Sequence, residues 1–306
     1  MSLDNIPLKK LKKNEIYKLL IKYKLIKNKN LLIFHNKTRD NKKLESYIDR
    51  TTNIIFLEKA KNDIYYKNKK TEKNEELETK THYGKFKNNP LNDTQRRLKQ
   101  FRKFIENKTI LDFGCGSGVF LLKSQKILKK GIGIDLNLKK IKYLNRKNIT
   151  FFKNIDEIKD LNFKFDSIFL FHVFEHLINP DLILKQFKSK LKKTGNLIIE
   201  VPHANDLLLK KLKNKSFINF TLWSEHLILH TKNSLKCFLE KAGFKNNKIF
   251  FYQRYNLNNH LGWLICHKPG GHIYYNKLSN EKEIDQYNTI LTKKEYSDTI
   301  YSVSKS

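Results

Sequence analysis

The sequence predicts an α/β protein whose main sheet has seven strands, mostly parallel, with the last strand antiparallel. Three observations carry this. From Thr109 onward, apolar runs of strand length alternate with stretches of helical period. A glycine-rich bend joins the first of these runs to the helix that follows it. The closing segment, 298–304, alternates Thr299, Tyr301 and Val303 against Ile300 and Ser302, the period-2 pattern of a strand.

In chain order, the predicted strands are 109–113, 131–135, 149–152, 165–171, 196–201, 247–254 and 298–304. Repeated strand–helix units imply a parallel sheet covered by helices on both faces. A helix over 235–242 stops at Gly243, the position past a helix end that favours glycine. Residues 256–296, between the last two strands, are too many for a hairpin loop and predict a cap over a substrate. There is no internal repeat.

Ahead of the sheet, Leu8, Leu11, Ile16, Leu19, Leu20 and Tyr23 recur at helical spacing, so residues 1–27 predict one basic amphipathic helix. Such a stripe packs on its own domain or lies on an anionic surface. Residues 28–90 predict a small β-rich lead module and linker: apolar runs at 31–34, 46–48 and 53–57 are separated by polar turns, and 67–80 is almost wholly Lys, Glu, Asn and Thr. Leu91, Leu98, Phe101, Phe104 and Ile105, at near-helical spacing, open the main domain, 91–306.

Composition narrows the class. No apolar run approaches the ~18 residues of a membrane span, and the N-terminus lacks the apolar core of a secretory signal, so a cytoplasmic location is expected. Cys115, Cys237 and Cys266 are odd in number and far apart, which predicts neither a disulfide framework nor a Cys-x-x-Cys metal site. The formal net charge is +32, but only seven of the 62 basic residues are arginine, and the lysines are spread along the chain. Bidentate reading of phosphate or guanine favours arginine. The charge therefore reads as compositional. No specific nucleic-acid partner is expected, while a general attraction to small anionic substrates remains.

The densest chemical signal is Asp112-Phe-Gly-Cys-Gly-Ser-Gly118, at the carboxyl end of the first main strand, where ligands of open α/β sheets bind. Glycine is needed there for close backbone approach and for turns of positive φ. The spacing Gly-x-Gly-x-Gly, led by an acid, departs from the dinucleotide fingerprint, and no Gly-Lys-Ser/Thr follows to make a phosphate-binding loop. Asp135 ends the second strand, where a carboxylate accepts hydrogen bonds from ribose hydroxyls. Asn154, Ile155 and Asp156 follow the third strand, a place from which they are expected to border an adenine ring.

These motifs, in this order over about residues 90–255, resemble the class I S-adenosylmethionine-dependent methyltransferases, which have a Rossmann-like sheet. The resemblance implies that Asp112, Gly114, Cys115, Gly116 and Gly118 hold the methionine part of S-adenosyl-L-methionine. It implies that Asp135 and Leu136 meet the ribose side, that Asn154 and Asp156 meet the adenine, and that Phe171 and His172 face the cofactor from the end of the fourth strand. The Lys-Thr-Gly turn at 193–195 and the strand after it resemble the family's fifth strand.

Two Glu-His pairs, in Phe171-His-Val-Phe-Glu-His-Leu177 and Trp223-Ser-Glu-His-Leu227, resemble a bacterial subgroup linked to surface-polysaccharide and sugar modification. Thr38-Arg-Asp40, 54–57, Tyr65-Tyr66 and the segments 253–260 and 268–272 resemble it too. Some relatives carry a cysteine-rich zinc module in the lead, but this chain has no cysteine before Cys115. The implied reaction is methyl transfer to a small glycan, nucleotide-sugar or related metabolite. A sugar hydroxyl must lose a proton, which suits a histidine. His176 is the first candidate base and His226 the second, with Glu175 or Glu225 orienting an imidazole. Helix capping is the plain structural alternative for Glu175 and His176. A similar Glu-His serves a metal in ubiquinone-pathway O-methyltransferases, but His172 stands in place of their preceding acid, so no metal is predicted. Trp223 and the Phe217–Phe220 segment line an acceptor pocket or belong to the core. The competing functions are methylation of a quinone-like aromatic and an RNA-modifying or nucleic-acid-binding role.

Overall fold

The computed structural model describes residues 8–59, 90–137 and 148–306. The first seven residues of the predicted N-terminal helix, Tyr65-Tyr66 and the predicted linker 67–80 lie outside them.

The first described segment holds two short helices, α1 (Leu8–Leu11) and α2 (Glu15–Lys22), followed by strands β1 (Leu31–His35), β2 (Ser46–Asp49) and β3 (Ile55–Leu57). The sequence predicts a single helix here, and Asn14 is the reason for two. Its side-chain oxygen accepts the backbone N–H groups of Ile16 and Tyr17 at 2.8 and 3.3 Å. Asparagine competes for backbone donors and so favours a helix start over a helix interior. Its amide also donates to the carbonyls of Leu57 and Glu58 at 2.7 and 3.0 Å, tying the helix to β3. Leu11, Ile16, Tyr17 and Leu20 are buried in the main core, so the apolar stripe packs on its own chain.

The second part begins with α3 (Pro90–Gln100), β4 (Thr109–Phe113), α4 (Val119–Ser124), β5 (Lys130–Ile134), β6 (Ile149–Phe152) and β7 (Phe165–Phe171). It continues with α5 (Pro180–Lys190), β8 (Leu191–Pro202), α6 (Lys215–Thr221), β9 (Ile228–Leu229), α7 (Lys232–Lys241) and β10 (Lys245–Tyr252). Three cap helices, α8 (Leu257–Ile265), α9 (Gly271–Tyr274) and α10 (Glu281–Lys293), precede the last strand, β11 (Thr299–Lys305). The main sheet has seven strands in the order β10-β11-β8-β7-β4-β5-β6. β11 is antiparallel to both β8 and β10, and the strands from β8 to β6 run parallel. All seven predicted main strands are present. β7 is almost wholly apolar, with Ile168, Phe169 and Leu170 fully buried, because helices cover both faces of the sheet.

The topology fixes where a ligand binds. Strand order reverses at β4: β5 and β6 lie on one side, β7 and β8 on the other. The chain leaves β4 and β7 in opposite directions and opens a crevice at their carboxyl ends. Sequence periodicity misses β9, which has only two residues. It pairs Leu229 with Ile55 and Ile228 with Phe56, so a segment from beyond β8 completes the small antiparallel sheet β1-β2-β3-β9. Among the described residues, no helix is long and apolar enough to cross a membrane.

Asn14 holds a cap and two long-range hydrogen bonds in a buried position. Asn14→Ala should lower unfolding free energy by about 1–3 kcal/mol in urea denaturation. An unchanged midpoint would mean that these bonds do not anchor the N-terminal helices.

Candidate active site

The bend after β4 is built from left-handed glycines: Gly114, Gly116 and Gly118 have φ of 74°, 54° and 72°. Gly114 has a steric reason as well. A Cβ there would sit 2.3 Å from a methyl carbon of Val173, just beyond β7. At Gly116 a Cβ would meet nothing within 4 Å among the described residues. The loop is laced to β5, with the Gly114 and Cys115 N–H groups donating to the Ile134 carbonyl at 2.7 and 3.0 Å. The Gly116 N–H donates to a carboxylate oxygen of Asp135 at 2.8 Å, and the other Asp135 oxygen accepts the Asn137 N–H at 2.9 Å. A carboxylate in this place can accept from ligand hydroxyls.

Asp112 is buried at the foot of this loop. Burial pushes its carboxyl up to about 7, with Arg97 opposing and Asp135 adding to the shift. A ligand ammonium beside it would restore the charge. Leu136 is 58% exposed, an apolar surface at the rim. Asn154 caps a 3₁₀ turn by accepting the N–H groups of Asp156 and Glu157. Asp156 pairs with Lys159 at 2.7 Å on the surface. Cys115 has its thiol pushed up by burial, which suits packing and not nucleophilic chemistry. Bare backbone, two carboxylates and an apolar rim at one crevice fit a nucleoside that carries an ammonium group and ribose hydroxyls.

The opposite wall is the end of β7. Phe171 belongs to the aromatic core with Phe101, Phe120 and Phe169, and the Arg97 guanidinium lies 4.3 Å from its ring centroid. His172 adopts φ of 56°, a left-handed conformation rare outside glycine. The chain therefore cannot run straight into a helix, and His176 lies in a 3₁₀ turn, Phe174–His176, not one α-helical turn after His172. Glu175 is fully buried. The His176 Nε2 and His172 Nδ1 atoms stand 3.5 and 3.7 Å from its Oε1. Burial opposes the Glu175 charge, but the two histidines outweigh it and hold the carboxyl well below the usual carboxylate range. His226 arrives from the loop before β9, its ring centroid 5.1 Å from that of His176. Burial, with His176 second, pushes His226 down to about 3, so its ring is neutral. Glu225 approaches the other nitrogen of His176 at 3.9 Å. The structure thus brings together Glu175, His176 and His226.

Sequence reading missed the cluster that supports this wall. Glu200, fully buried on β8, takes a two-pronged contact from Arg96 at 2.9 Å and a contact from Arg97 at 2.5 Å, and His172 Nε2 lies 3.4 Å away. Its carboxyl is held low against burial by His172, Arg97 and Arg96. Those same carboxylates, Glu175 and Glu200, raise His172 against the opposing effect of burial. Asp93 pairs with both Arg96 and Arg254, linking α3 to the chain after β10. A signal was present: in a chain with seven arginines, adjacent Arg96-Arg97 mark a place that needs a guanidinium fork.

A cavity of about 330 Å³ adjoins these histidines. Arg39, Asp206, Phe217, Phe220, Trp223 and Arg254 line it as well. The predicted aromatic residues therefore face the cavity.

Asp112 generates a pH prediction. Its carboxyl keeps a proton up to about 7 in the folded chain, against an ordinary value of 3.8. The folded state then binds the extra proton between these values, so this contribution to stability falls as pH rises through that window. Above it Asp112 is a buried charge that disfavours folding. Without ligand, Asp112→Asn should melt roughly 5 °C above the wild type at pH 8, and the gap should close toward pH 4. A variant that melts lower at pH 8 would contradict this.

Comparison with known proteins gives the family. No curated protein sequence matches the chain. The fold is similar to that of a SAM-dependent methyltransferase from Archaeoglobus fulgidus, with 22% identity and a TM-score of 0.50 over 76% of this chain and 99% of that one. A SAM-dependent methyltransferase from Aquifex aeolicus aligns at 22% identity and a TM-score of 0.40, covering 52% of this chain and 83% of that one. A phosphoethanolamine N-methyltransferase of Haemonchus contortus aligns at 14% identity and a TM-score of 0.47, covering 79% and 60%. Residues 89–249, more than half of the chain, match the family described as a methyltransferase domain. The chain belongs to that family, and it is an S-adenosylmethionine-dependent methyltransferase.

Proposed function

We propose that the enzyme methylates a hydroxyl of a small glycan, nucleotide-sugar or related metabolite. The observation that carries this is the cavity beside His172, His176 and His226, which has the size of a small-molecule site and mixes aromatic walls with charged groups. S-adenosylmethionine supplies an electrophilic methyl group on a sulfonium. Asp112, Asp135 and the glycine loop would hold it, with Leu136 at the rim. Asn154 and Asp156, at the end of β6, are assigned to the adenine side.

His176 would accept the proton that the acceptor hydroxyl gives up when it takes the methyl group. Glu175, buried 3.5 Å from the His176 ring, offsets the charge that the imidazole gains. His226, kept neutral, packs edge-on against that ring and fixes its tilt. The leaving group is neutral, so positioning supplies much of the remaining rate.

One further reading has an observation behind it. Among the described residues, Glu175, His176 and His226 each offer one donor atom within 4.8 Å of the others, a spacing that a divalent cation also fits. A cation there would polarise the acceptor oxygen in place of a general base.

The test is incubation with methyl-labelled cofactor and pooled nucleotide-sugars and simple glycans. Label should enter one pool, and His176→Ala should lower kcat by roughly 100-fold or more while cofactor affinity and folding are kept. Near-normal turnover by folded His176→Ala removes His176 as the base. Activity that collapses with a chelator and returns with a divalent cation favours the cation reading.

A further inference from the structure

We propose that the enzyme docks on an anionic lipid surface through the face made by the cap helix α8 and the turn before α6. Leu212, Leu264, Ile265 and Leu278 form the apolar centre of that face, each between 45% and 62% exposed. A single leucine half in water is ordinary. Four in one face, bordered by charge of one sign, mark an interaction surface.

Specific contacts gather these side chains. The Asn214 amide donates to the Trp263 carbonyl at 3.1 Å, which sets the turn carrying Leu212 and Lys213 against α8. The Trp263 ring packs against Phe217 and Phe220 of α6, with centroids 5.2 and 5.1 Å apart. α8 and α9 meet at glycine: a Cβ on Gly262 would lie 2.6 Å from the Gly271 Cα. The Cys266 sulfur and the Tyr275 hydroxyl are 3.0 Å apart, and the Leu278 N–H donates to the Tyr275 carbonyl at 2.9 Å. Leu264, Ile265 and Leu278 therefore share one corner of the cap, with Leu212 beside it.

The charge around the corner is of one sign. Residues 207–224 and 257–280 contain no aspartate or glutamate. Lys213, Lys215, Lys268 and Lys277 are exposed within them. The acids that flank these stretches are placed elsewhere. Asp206 and Glu225 are buried, and Glu283 caps α10 by accepting the Asn280 N–H at 2.8 Å. Glu281 and Asp285 share a surface of α10 with Lys282. At a bilayer, leucine and isoleucine enter the headgroup boundary while lysine stems reach back to the lipid phosphates. Anionic headgroups add attraction for each lysine near the surface. A second copy of the chain would bring the same lysines face to face. A nucleic acid would engage the lysines and leave the aliphatic side chains in water. A lipid surface satisfies both sets of groups. Phe217 and Phe220 also line the cavity, so the docking face adjoins it.

The test is sedimentation of the full chain with vesicles at physiological salt. The vesicles are made of phosphatidylcholine alone or of equal parts phosphatidylcholine and phosphatidylglycerol. The mixed vesicles should carry the protein down, and phosphatidylcholine alone should hold it roughly tenfold less well. The double variant Ile265→Ser, Leu278→Ser keeps the charge and should weaken binding to mixed vesicles by roughly tenfold or more. Lys213→Gln combined with Lys268→Gln should weaken it as well, less so as salt rises. Leu182→Ser, at an exposed leucine on α5, should leave it within about twofold. Affinity for S-adenosylhomocysteine in solution should stay within about twofold in every variant, which shows that each folds. Absence of binding to mixed vesicles overturns the proposal. So does binding that the double serine variant keeps in full, since dispersed lysines would then suffice, or an equal loss in Leu182→Ser. A serine variant that changes oligomeric state on gel filtration while vesicle binding is intact makes the face a contact between copies and overturns it too.

Discussion

Everything at the catalytic end depends on how closely three chain segments meet there. Gly114 lies so near Val173 that no side chain can stand between them, and Asp135 reaches across from β5 to hold the Gly116 N–H. The carboxyl ends of β4, β5 and β7 become one surface. A larger residue at Gly114 would push β4 and β7 apart at the point where the glycine loop meets the segment that carries His172 and His176. The positive φ values of the three loop glycines are the backbone form of the same constraint.

A second constraint is electrostatic. Glu175 and Glu200 are carboxylates with no exposed surface, and a buried charge survives only with partners. The partners come from far apart in sequence: Arg96 and Arg97 on α3, His172 after β7, and His176 in the 3₁₀ turn. Meeting the needs of these two acids positions the leading helix, aims His172 and His176, and through Asp93 and Arg254 fixes the start of the cap. The network that satisfies the core is also the one that sets His172 and His176 in the cavity wall. Removing one partner would leave an unpaired charge inside and disturb packing and chemistry together.

Much of this was legible in the sequence, for physical reasons. Strands buried on both faces are long and apolar, so β4, β7 and β8 stand out, and Gly243 marks its helix end with φ of 84°. The glycine loop was readable because close approach leaves few residue choices. The sequence also supplied the candidates Glu175, His176 and His226, but not their meeting, because His226 comes from a loop fifty residues later. Other features depend on tertiary partners and left little local trace. β9 is a strand only because β3 lies beside it. Asn14 splits the first helix because Leu57 and Glu58 offer carbonyls to its amide. Glu200 looked like one more residue in an apolar strand, and only the rare arginine pair upstream hinted at its charge partners.

The bend after β4 and the carboxylates at the ends of β4 and β5 form the proposed seat of the methyl donor. Titration calorimetry of the purified chain with S-adenosylmethionine and with S-adenosylhomocysteine addresses it most directly. One saturable site is expected for each ligand, lost in Gly114→Ala. A folded wild-type chain that gives no binding heat with either ligand, or a Gly114→Ala variant that binds both as well as the wild type, would contradict it.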